Sequence, residues 1–336
     1  NIPENERILR SIQRELEVKE SLFLLLLQKR EEAAINFAVV KPSIKVIDYA
    51  RTSSSPVSPN KRLTFLTALI IGFSIPIFSL YLWFFIDNKI HTKDQLRELI
   101  NEKISIIAEI PFVKNFDIKI SEKSDNERNI LLESARMLLA NLSYSLRNVK
   151  SDSKVILVTS SVKGEGKTII SSTVSSILSE DTNKKTLLIG ADLRNPQIHK
   201  LIGTDKNVLG ISDYIYNPKI KIEDILIRHN NLDILLSGSI PPNASQLLES
   251  QTFKNLIIEF RKKYEYIVID TAPCLLVSDT FSIAPLADVT VYVTRSNYTD
   301  KAICDFINET FRDKKFNDLN LVLNSVGTSA AYGYQY

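Results

Sequence analysis

The chain has 336 residues, a formal net charge of +3 and a hydrophobic fraction of 44%. This length accommodates about two domains, and so small a charge, without a basic stripe, argues against a nucleic-acid-binding protein. The two cysteines, Cys274 and Cys304, suggest no disulfide framework, and we expect free buried thiols. The three histidines are too scattered to predict a metal site. Because the chain starts at an asparagine and carries no signal peptide, we expect it to be part of a longer protein.

A long surface helix is predicted over residues 6–34, where Glu, Arg, Lys, Gln and Leu dominate and neither Gly nor Pro occurs. Its apolar residues between Ile8 and Leu16 share one helical face. The run Leu22–Leu27 is apolar on all sides but too short to span a membrane. Either a partner helix covers this run, or the helix belongs to a local hairpin. The serine- and proline-rich stretch at 53–59 then ends the helical segment.

Residues 63–86 contain no charged side chain and are long enough to cross a hydrocarbon core of about 30 Å. Lys61 and Arg62 flank one end, and Trp83 lies near the other end as an interfacial aromatic residue. A buried core helix is the competing interpretation, and the length favours a transmembrane helix. Lysine and arginine occur on both sides, so the charge pattern leaves the orientation open.

Short secondary-structure elements and a linker are predicted in the segment after this helix. We expect a polar helix at 92–102, a strand at 104–107 and a charged, irregular linker at 113–126. A helix with an apolar face follows at 127–146.

Strands and helices alternate from residue 153 onward. This pattern predicts a P-loop NTPase-like α/β fold, a parallel sheet with helices on both faces and ligands at the carboxyl ends of the strands. The predicted strands are 154–159, 185–190, 232–236, 265–270, 289–294 and 319–324, and the predicted helices are 168–178, 251–262 and 301–312.

The first of these strands leads into a predicted phosphate-binding loop at residues 159–168. Gly164 and Gly166 let the backbone turn tightly and direct its N–H groups, at a helix N-terminus, toward phosphate oxygens. Lys167 would reach the β- and γ-phosphates of a nucleotide, and Thr168 would ligate magnesium. The predicted nucleotide-binding residues are Lys163, Gly164, Glu165, Gly166, Lys167 and Thr168.

The loop departs from the common pattern at Ser161, where a glycine is usual. An ordinary glycine turn is the alternative interpretation, but the strand-loop-helix context argues against it. A magnesium-ATP site requires cytoplasmic nucleotide. It would therefore place the chain from Asp87 onward in the cytoplasm and residues 1–62 outside.

Two later strands lead to carboxylates, as a phosphoryl-transfer site requires. They bring Asp192 and Asp270 to the sheet edge where the loop is expected. A single aspartate at a strand end is often only a helix cap or a turn former, but two of them behind a phosphate loop favour metal and catalytic roles. We predict Lys167, Asp192 and Asp270 as catalytic residues, and Thr168, Asp192 and Asp270 as magnesium ligands.

With these motifs the chain resembles, over nearly its whole length, the bacterial tyrosine kinases (BY-kinases) fused to polysaccharide co-polymerases. Residues 160–168 resemble that family's Walker A motif, Leu187–Arg194 its Walker A′ motif and Ile267–Pro273 its Walker B motif. Pro56, Pro59 and the apolar helix after them resemble the second transmembrane region of co-polymerases.

The resemblance implies a membrane-anchored, ATP- and Mg²⁺-dependent protein-tyrosine autokinase that regulates exopolysaccharide or capsule polymerisation and export. It implies phosphorylation in neighbouring subunits of the tyrosines in the tail, where flexibility would give access. These are Tyr332, Tyr334 and Tyr336.

The family's oligomerisation motif is matched at Glu133 and Arg136, but its third place holds Leu139 instead of arginine, which predicts weaker ring assembly. The resemblance further implies a homo-oligomeric ring in the bacterial inner (plasma) membrane. Its partners would be the polysaccharide polymerisation and export machinery and a tyrosine phosphatase, with no nucleic acid.

The Walker A′ motif departs from the family at Gly190, where the first of two aspartates is expected. Glycine cannot bind a proton or a metal-bound water, so the second hypothesis is a nucleotide-binding co-polymerase scaffold that transfers no phosphate. Asp279 and Glu165 are candidates for a replacement acid. A third hypothesis, a membrane-tethered partition or septum-positioning ATPase, is disfavoured because Val162 stands where those proteins carry a signature lysine.

The predicted domain organisation has five parts. They are the end of an extracytoplasmic co-polymerase helix with its proline-rich linker at 1–62, a transmembrane helix at 63–86, a cytoplasmic juxtamembrane linker at 87–126, a kinase domain at 127–326 and a tyrosine-rich tail at 327–336.

Overall fold

The computed structural model describes residues 2–39, 47–49, 51–54, 58–113, 126–147, 149–181, 184–205, 208–217, 219–229 and 231–327. It divides into two compact units, Asn1–Ser79 and Leu80–Tyr336. The tail tyrosines Tyr332, Tyr334 and Tyr336 and most of the predicted linker at 113–126 lie outside the described residues.

The first unit consists of helical segments. Helix α1 spans Ile2–Val39, which extends the predicted helix at both ends, and its apolar and charged side chains from residue 5 onward are all exposed. Helix α2 spans Lys61–Ile86, continues into the second unit and has no buried residue. That exposure argues against a core helix. Among the described helices, α2 is the one that is long and apolar enough to cross a membrane.

The second unit is built on a sheet of eight strands in the order β1-β8-β7-β2-β6-β3-β5-β4. All neighbours are parallel except β4 and β5, which form an antiparallel edge. The strands are β1 (Ser105–Pro111), β2 (Lys154–Ser160), β3 (Thr186–Gly190), β4 (Leu226–His229), β5 (Leu232–Leu235), β6 (Tyr266–Asp270), β7 (Val289–Arg295) and β8 (Leu319–Val326).

Helices cover both faces of this sheet. They are α3 (Lys93–Leu99), α4 (Asn126–Arg147), α5 (Lys167–Asp181), α6 (Ile198–Leu201), α7 (Ile211–Tyr216), α8 (Ile222–Ile225), α9 (Ala244–Glu249), α10 (Gln251–Lys263), α11 (Asp279–Ile283) and α12 (Ile303–Arg312), with a 3₁₀ turn at Ala284–Leu286. Alternate residues of β2 point to opposite faces. Val155 and Leu157 pack in the layer that contains α10 and α12, whereas Ile156 and Val158 pack in the layer that contains α4 and α5.

The predicted fold class is confirmed, and both cysteines are free and buried as expected. The sequence pattern missed β4 and the short helices α6 to α9 and α11, because elements of four to six residues are too short to show a period. The predicted helix at 92–102 is shorter, since Thr92 caps its start and the helix ends at Leu99.

Candidate functional site

The site lies where β2, β6 and β3 end side by side. Asp270 at the end of β6 is paired with Val158 of β2 on one side and with Gly190 of β3 on the other. The strands are buried and apolar up to this edge, so the polar residues that follow them converge at the start of α5. This is the arrangement that the alternation of strands and helices predicts.

The phosphate loop adopts backbone conformations that require its two glycines. Gly164 has φ +92° and Gly166 has φ +99°, both in the left-handed region. A Cβ at position 166 would lie 2.0 Å from Asn324 Nδ2. That amide instead donates a hydrogen bond of 2.8 Å to the carbonyl of Glu165, so β8 supports the loop from below.

A cleft of about 310 Å³ opens beside this loop. That volume is at the lower end of the range for small-molecule sites. Helix α5 begins at Lys167 and contributes its N-terminus to the cleft, which favours an anionic ligand. The lining residues are Lys163, Gly164, Gly166, Lys167, Thr168, Ile169, Asn195, Gln197, Lys200 and Leu201.

The three predicted catalytic residues are brought together. Lys167 Nζ lies 3.1 Å from Asp192 Oδ2, and both side chains are almost fully buried. Asp270 is 1% exposed. Burial raises the pKa of Asp270 to about 6, with the charge of Lys167 and the hydroxyl of Thr168 opposing the shift and the charge of Asp192 adding to it.

These carboxylates retain unused oxygen atoms. Among the described residues, Asp192 Oδ2 and Asp270 Oδ1 are buried and have no hydrogen-bond partner, and the contact of Asp192 Oδ2 with Lys167 is an ion pair without hydrogen-bond geometry. The unpartnered oxygen of Asp270 and the Thr168 hydroxyl beside this carboxylate fit a hard divalent cation such as Mg²⁺, which usually takes one or two protein ligands and completes its shell with phosphates and water. In the described residues no group of three or more His, Cys, Asp or Glu forms a cage for a metal ion.

Glu165, one of the predicted nucleotide-binding residues, does not line the cleft with its side chain, so a contact with phosphate would come from its backbone N–H. Its side chain is fully buried beneath the loop, where it accepts hydrogen bonds from the Val162 amide at 2.7 Å and from the Thr299 hydroxyl at 2.5 Å. Burial raises the pKa of Glu165 to about 7, and these hydrogen bonds oppose the shift. Its carboxyl group therefore braces the loop and cannot replace the missing catalytic acid.

Asp279, the other candidate replacement, is also engaged elsewhere. Arg194 donates to it from Nε at 2.7 Å and from Nη2 at 3.1 Å, and the hydroxyl of Ser245 donates to Asp279 Oδ1. Burial alone would raise its pKa, but the hydrogen bonds from Arg194 and Ser245 hold the pKa of Asp279 below its usual range. This network ties the segment after β3 to α9 and α11.

A hydroxyl group packs against Gly190, where the sequence lacks the expected acid. Ser237 follows β5, donates a 2.7 Å hydrogen bond to the carbonyl of Gly190 and is 4% exposed. A Cβ on residue 190 would lie 2.9 Å from Ser237 Oγ. The chain has therefore accommodated glycine at this position with a specific packing partner.

Sequence reasoning missed Thr299 and Asn324, which support the loop, and Ser237, which packs against Gly190. Asn324 lies near the end of β8, and Thr299 follows the end of β7. The rule that ligands bind at the carboxyl ends of parallel strands could have drawn attention to both. The predicted oligomerisation residues Glu133 and Arg136 lie on α4, where Arg136 Nη1 is 3.3 Å from Glu133 Oε2.

A glycine-supported loop between a buried strand and a helix, with a buried lysine and two carboxylates at the ends of neighbouring strands, defines a P-loop nucleotide-binding protein of the α/β class. A family model described as "AAA domain" matches residues 153–321, and a model described as "G-rich domain on putative tyrosine kinase" matches residues 4–82. The chain belongs to the family of bacterial tyrosine kinases.

The similarity to individual relatives extends over the whole chain. A protein of Klebsiella pneumoniae named "Putative tyrosine-protein kinase in cps region" is 28% identical over 99% of this chain and 47% of its own length. The chain thus spans about half the length of the curated relatives it matches.

Two solved kinase domains share the fold. The kinase domain of VpsO is 31% identical, with a TM-score of 0.53 over 60% of this chain and 100% of that one. The kinase domain of the Escherichia coli tyrosine kinase Etk has a TM-score of 0.61 over 74% of this chain and 99% of that one. The identity of 22% to Etk supports the fold alone.

Proposed function

We propose that this chain is the catalytic part of a membrane-anchored protein-tyrosine autokinase that transfers phosphate from magnesium-ATP to tyrosines in the tail of a neighbouring subunit. The observation that carries the proposal is the cluster of Lys167, Asp192 and Asp270 at one sheet edge, beside a loop built for phosphate. Membership of a tyrosine kinase family supports the choice of tyrosine as acceptor. The proposed acceptors are Tyr332, Tyr334 and Tyr336.

Each residue has a role that its position supports. The backbone N–H groups from Gly164 to Thr168 bind and orient the phosphates, and Lys167 neutralises charge on the transferred group. When bound, Mg²⁺ would offset the negative charge of the phosphate oxygens. The Thr168 hydroxyl, Asp192 and Asp270 would hold that ion. Either aspartate would also orient the incoming tyrosine hydroxyl and accept its proton.

Burial raises the pKa of Asp270 to about 6 in the absence of a metal ion. A bound Mg²⁺ would favour the ionised carboxylate that holds it.

A nucleotide-binding scaffold without kinase activity is the second candidate function, because Gly190 supplies no carboxyl group and neither Glu165 nor Asp279 replaces it. In that case the cleft would bind nucleotide and report the state of assembly without transferring phosphate. Both candidates use the same cleft and predict nucleotide binding.

The cellular role proposed is regulation of capsule or exopolysaccharide polymerisation and export at the bacterial inner membrane. The exposed apolar helix α2 supports membrane anchoring, and the name of the Klebsiella relative places that protein in a cps region. The proposed topology has residues 1–62 outside and the sheet domain in the cytoplasm. Proposed partners are other copies of the chain in a ring, through Glu133 and Arg136, the export machinery and a tyrosine phosphatase.

The test is phosphotyrosine mapping. The full chain in detergent is treated with a phosphatase, cleared of that enzyme and incubated with magnesium-ATP, and the tail peptides are analysed by mass spectrometry. We expect phosphate on the tail tyrosines of the wild-type chain and none in Lys167→Met. Lys315→Met, at an exposed lysine of the surface, serves as a matched control and should behave as wild type. Nucleotide binding without tyrosine phosphorylation would favour the scaffold.

A further inference from the structure

The loop between β7 and α12 makes hydrogen bonds to the phosphate loop and does not line the cleft. We refer to residues 295–301 as the clamp loop. Arg295 Nη1 donates a 2.8 Å hydrogen bond to the carbonyl of Gly164, and the Tyr298 hydroxyl donates one of 2.9 Å to the carbonyl of Lys163. The guanidinium group of Arg295 also lies over the ring of Tyr298, 5.1 Å from its centroid. Two consecutive carbonyls of the phosphate loop are thereby fixed.

Thr299 makes the most deeply buried of these contacts. It is fully buried, and its hydroxyl accepts a 2.8 Å hydrogen bond from the Arg295 amide while donating to Glu165 Oε1 at 2.5 Å. The other carboxyl oxygen of Glu165 accepts from the Val162 amide. A continuous chain of hydrogen bonds therefore runs from the clamp loop to the phosphate-loop backbone, and burial makes each bond stronger than it would be in water.

The opposite side of the clamp loop is bound to the segment that directly follows α2. The Ile90 amide donates to the carbonyl of Thr299 at 3.0 Å, and the Asn297 amide donates to the carbonyl of Ile90 at 2.8 Å. The side chain of Ile90 is fully buried in the core. Side-chain contacts reinforce this pairing, namely the hydroxyl of Ser296 with the carbonyl of His91 at 2.7 Å and the ion pair of Lys89 with Asp300 at 2.7 Å.

We propose that Thr299 is a positioning residue for nucleotide binding, because its hydroxyl joins the clamp loop to Glu165 beneath the phosphate loop. The phosphate loop can bind only when its N–H groups converge, and a loop already held in that shape loses less conformational entropy on binding. The contacts with residues 88–91 hold the clamp loop in place, so the Thr299 hydroxyl bonds Glu165 from a fixed position. This inference rests on the proposed function only in taking a nucleotide as the ligand of the cleft.

The role of Thr299 is tested by the dissociation constant of magnesium-ADP, measured on the full chain in detergent. Thr299→Val removes the hydroxyl that bridges Arg295 and Glu165, and we expect about tenfold weaker binding, because a less ordered phosphate loop loses more conformational entropy when nucleotide binds. Thr299→Ser keeps the hydroxyl and should restore the affinity. The matched control is Thr310→Val, which removes a buried hydroxyl bonded within α12 to the carbonyl of Ile307 and should leave binding unchanged.

Hydrogen exchange at amides 162–167 provides a second readout that needs no nucleotide. Faster exchange in Thr299→Val than in Thr299→Ser would support the clamp, and equal affinity and equal exchange in folded Thr299→Val would overturn it. If the wild-type chain binds no nucleotide, the proposed function fails, while the exchange measurement still tests the clamp.

Discussion

Ser237 and Gly190 form a packed pair at the catalytic edge of the sheet. The hydroxyl of Ser237 donates to the carbonyl of Gly190 at 2.7 Å and occupies the space beside its Cα, so that an added Cβ would lie 2.9 Å away. The absence of an acid at position 190 is thus matched by the residue opposite. Restoring that acid is therefore a problem of packing as well as of chemistry.

We predict that Gly190→Asp alone destabilises the chain by about 2 kcal/mol, because the new side chain overpacks a closed site. Gly190→Asp/Ser237→Ala should recover part of that loss, since the nearest obstructing atom is removed. Thermal unfolding measures the stability, and phosphotyrosine formation at equal folded concentration measures the activity. If both variants are equally stable, Ser237 does not limit the position. Higher activity in the double variant than in Ser237→Ala alone would show that the lost acid matters.

Gly166→Ala should abolish nucleotide binding and destabilise the chain by about 3 kcal/mol, because the new Cβ meets Asn324 at 2.0 Å and the backbone is left-handed. Gly327→Ala, at a glycine with no atom within 4 Å of the added Cβ, is the matched control and should retain wild-type stability and binding. Magnesium-ADP titration and thermal unfolding check both variants. Normal binding by Gly166→Ala would contradict this account of the loop.

The raised pKa of Glu165 predicts how the stability of the chain depends on pH. Its pKa is raised from 4.5 to about 7, so between these values the folded chain binds a proton that the unfolded chain releases. Stability therefore falls as pH rises through this window and levels off above it. Glu165→Gln removes the titrating group, so it should flatten this part of the profile, while its amide nitrogen loses one of the two hydrogen bonds that the carboxyl oxygens accept from Val162 and Thr299. Chemical denaturation from pH 5 to pH 8 tests this, and parallel curves for the two chains would contradict it.

Breaking the pair of Arg194 and Asp279 should destabilise the chain by about 2 kcal/mol. Arg194→Met leaves the buried carboxylate without its bidentate partner, and the half-exposed position of the arginine limits the cost to less than that of a fully buried pair. Arg194→Met/Asp279→Asn should be less destabilised, because no unpaired charge remains. Urea unfolding of both variants provides the measurement. A double variant as unstable as the single one would show that the charge is not the cause.

Much of this site could be predicted from the sequence because local patterns specify it. Lys167 follows a glycine-rich turn between an apolar strand and a helix, and Asp270 ends an apolar strand, so both positions follow from short stretches of chain. Their convergence follows from parallel strands that end at one edge.

The remaining features depend on contacts between distant parts of the chain. Asn324 meets Glu165, and Ser237 meets Gly190, across large separations in sequence that no local period encodes. The orientation of the Glu165 side chain was missed for the same reason, since the Thr299 hydroxyl that donates a hydrogen bond to its carboxyl group comes from another loop. The antiparallel strand β4 was missed because four residues show no usable alternation.

The strand that follows the apolar helix has its only described strand partner near the end of the sheet domain. Ser105 of β1 is opposite Asn320 of β8, so this edge of the sheet cannot form until β8 has left the ribosome. During synthesis α2 emerges long before β8, and β1 remains unpaired until β8 has been made. Helix α2 is therefore complete before the sheet domain can be. A chain that stops before β8 would retain an open sheet edge, a form exposed to aggregation and to the quality-control proteases of the cell.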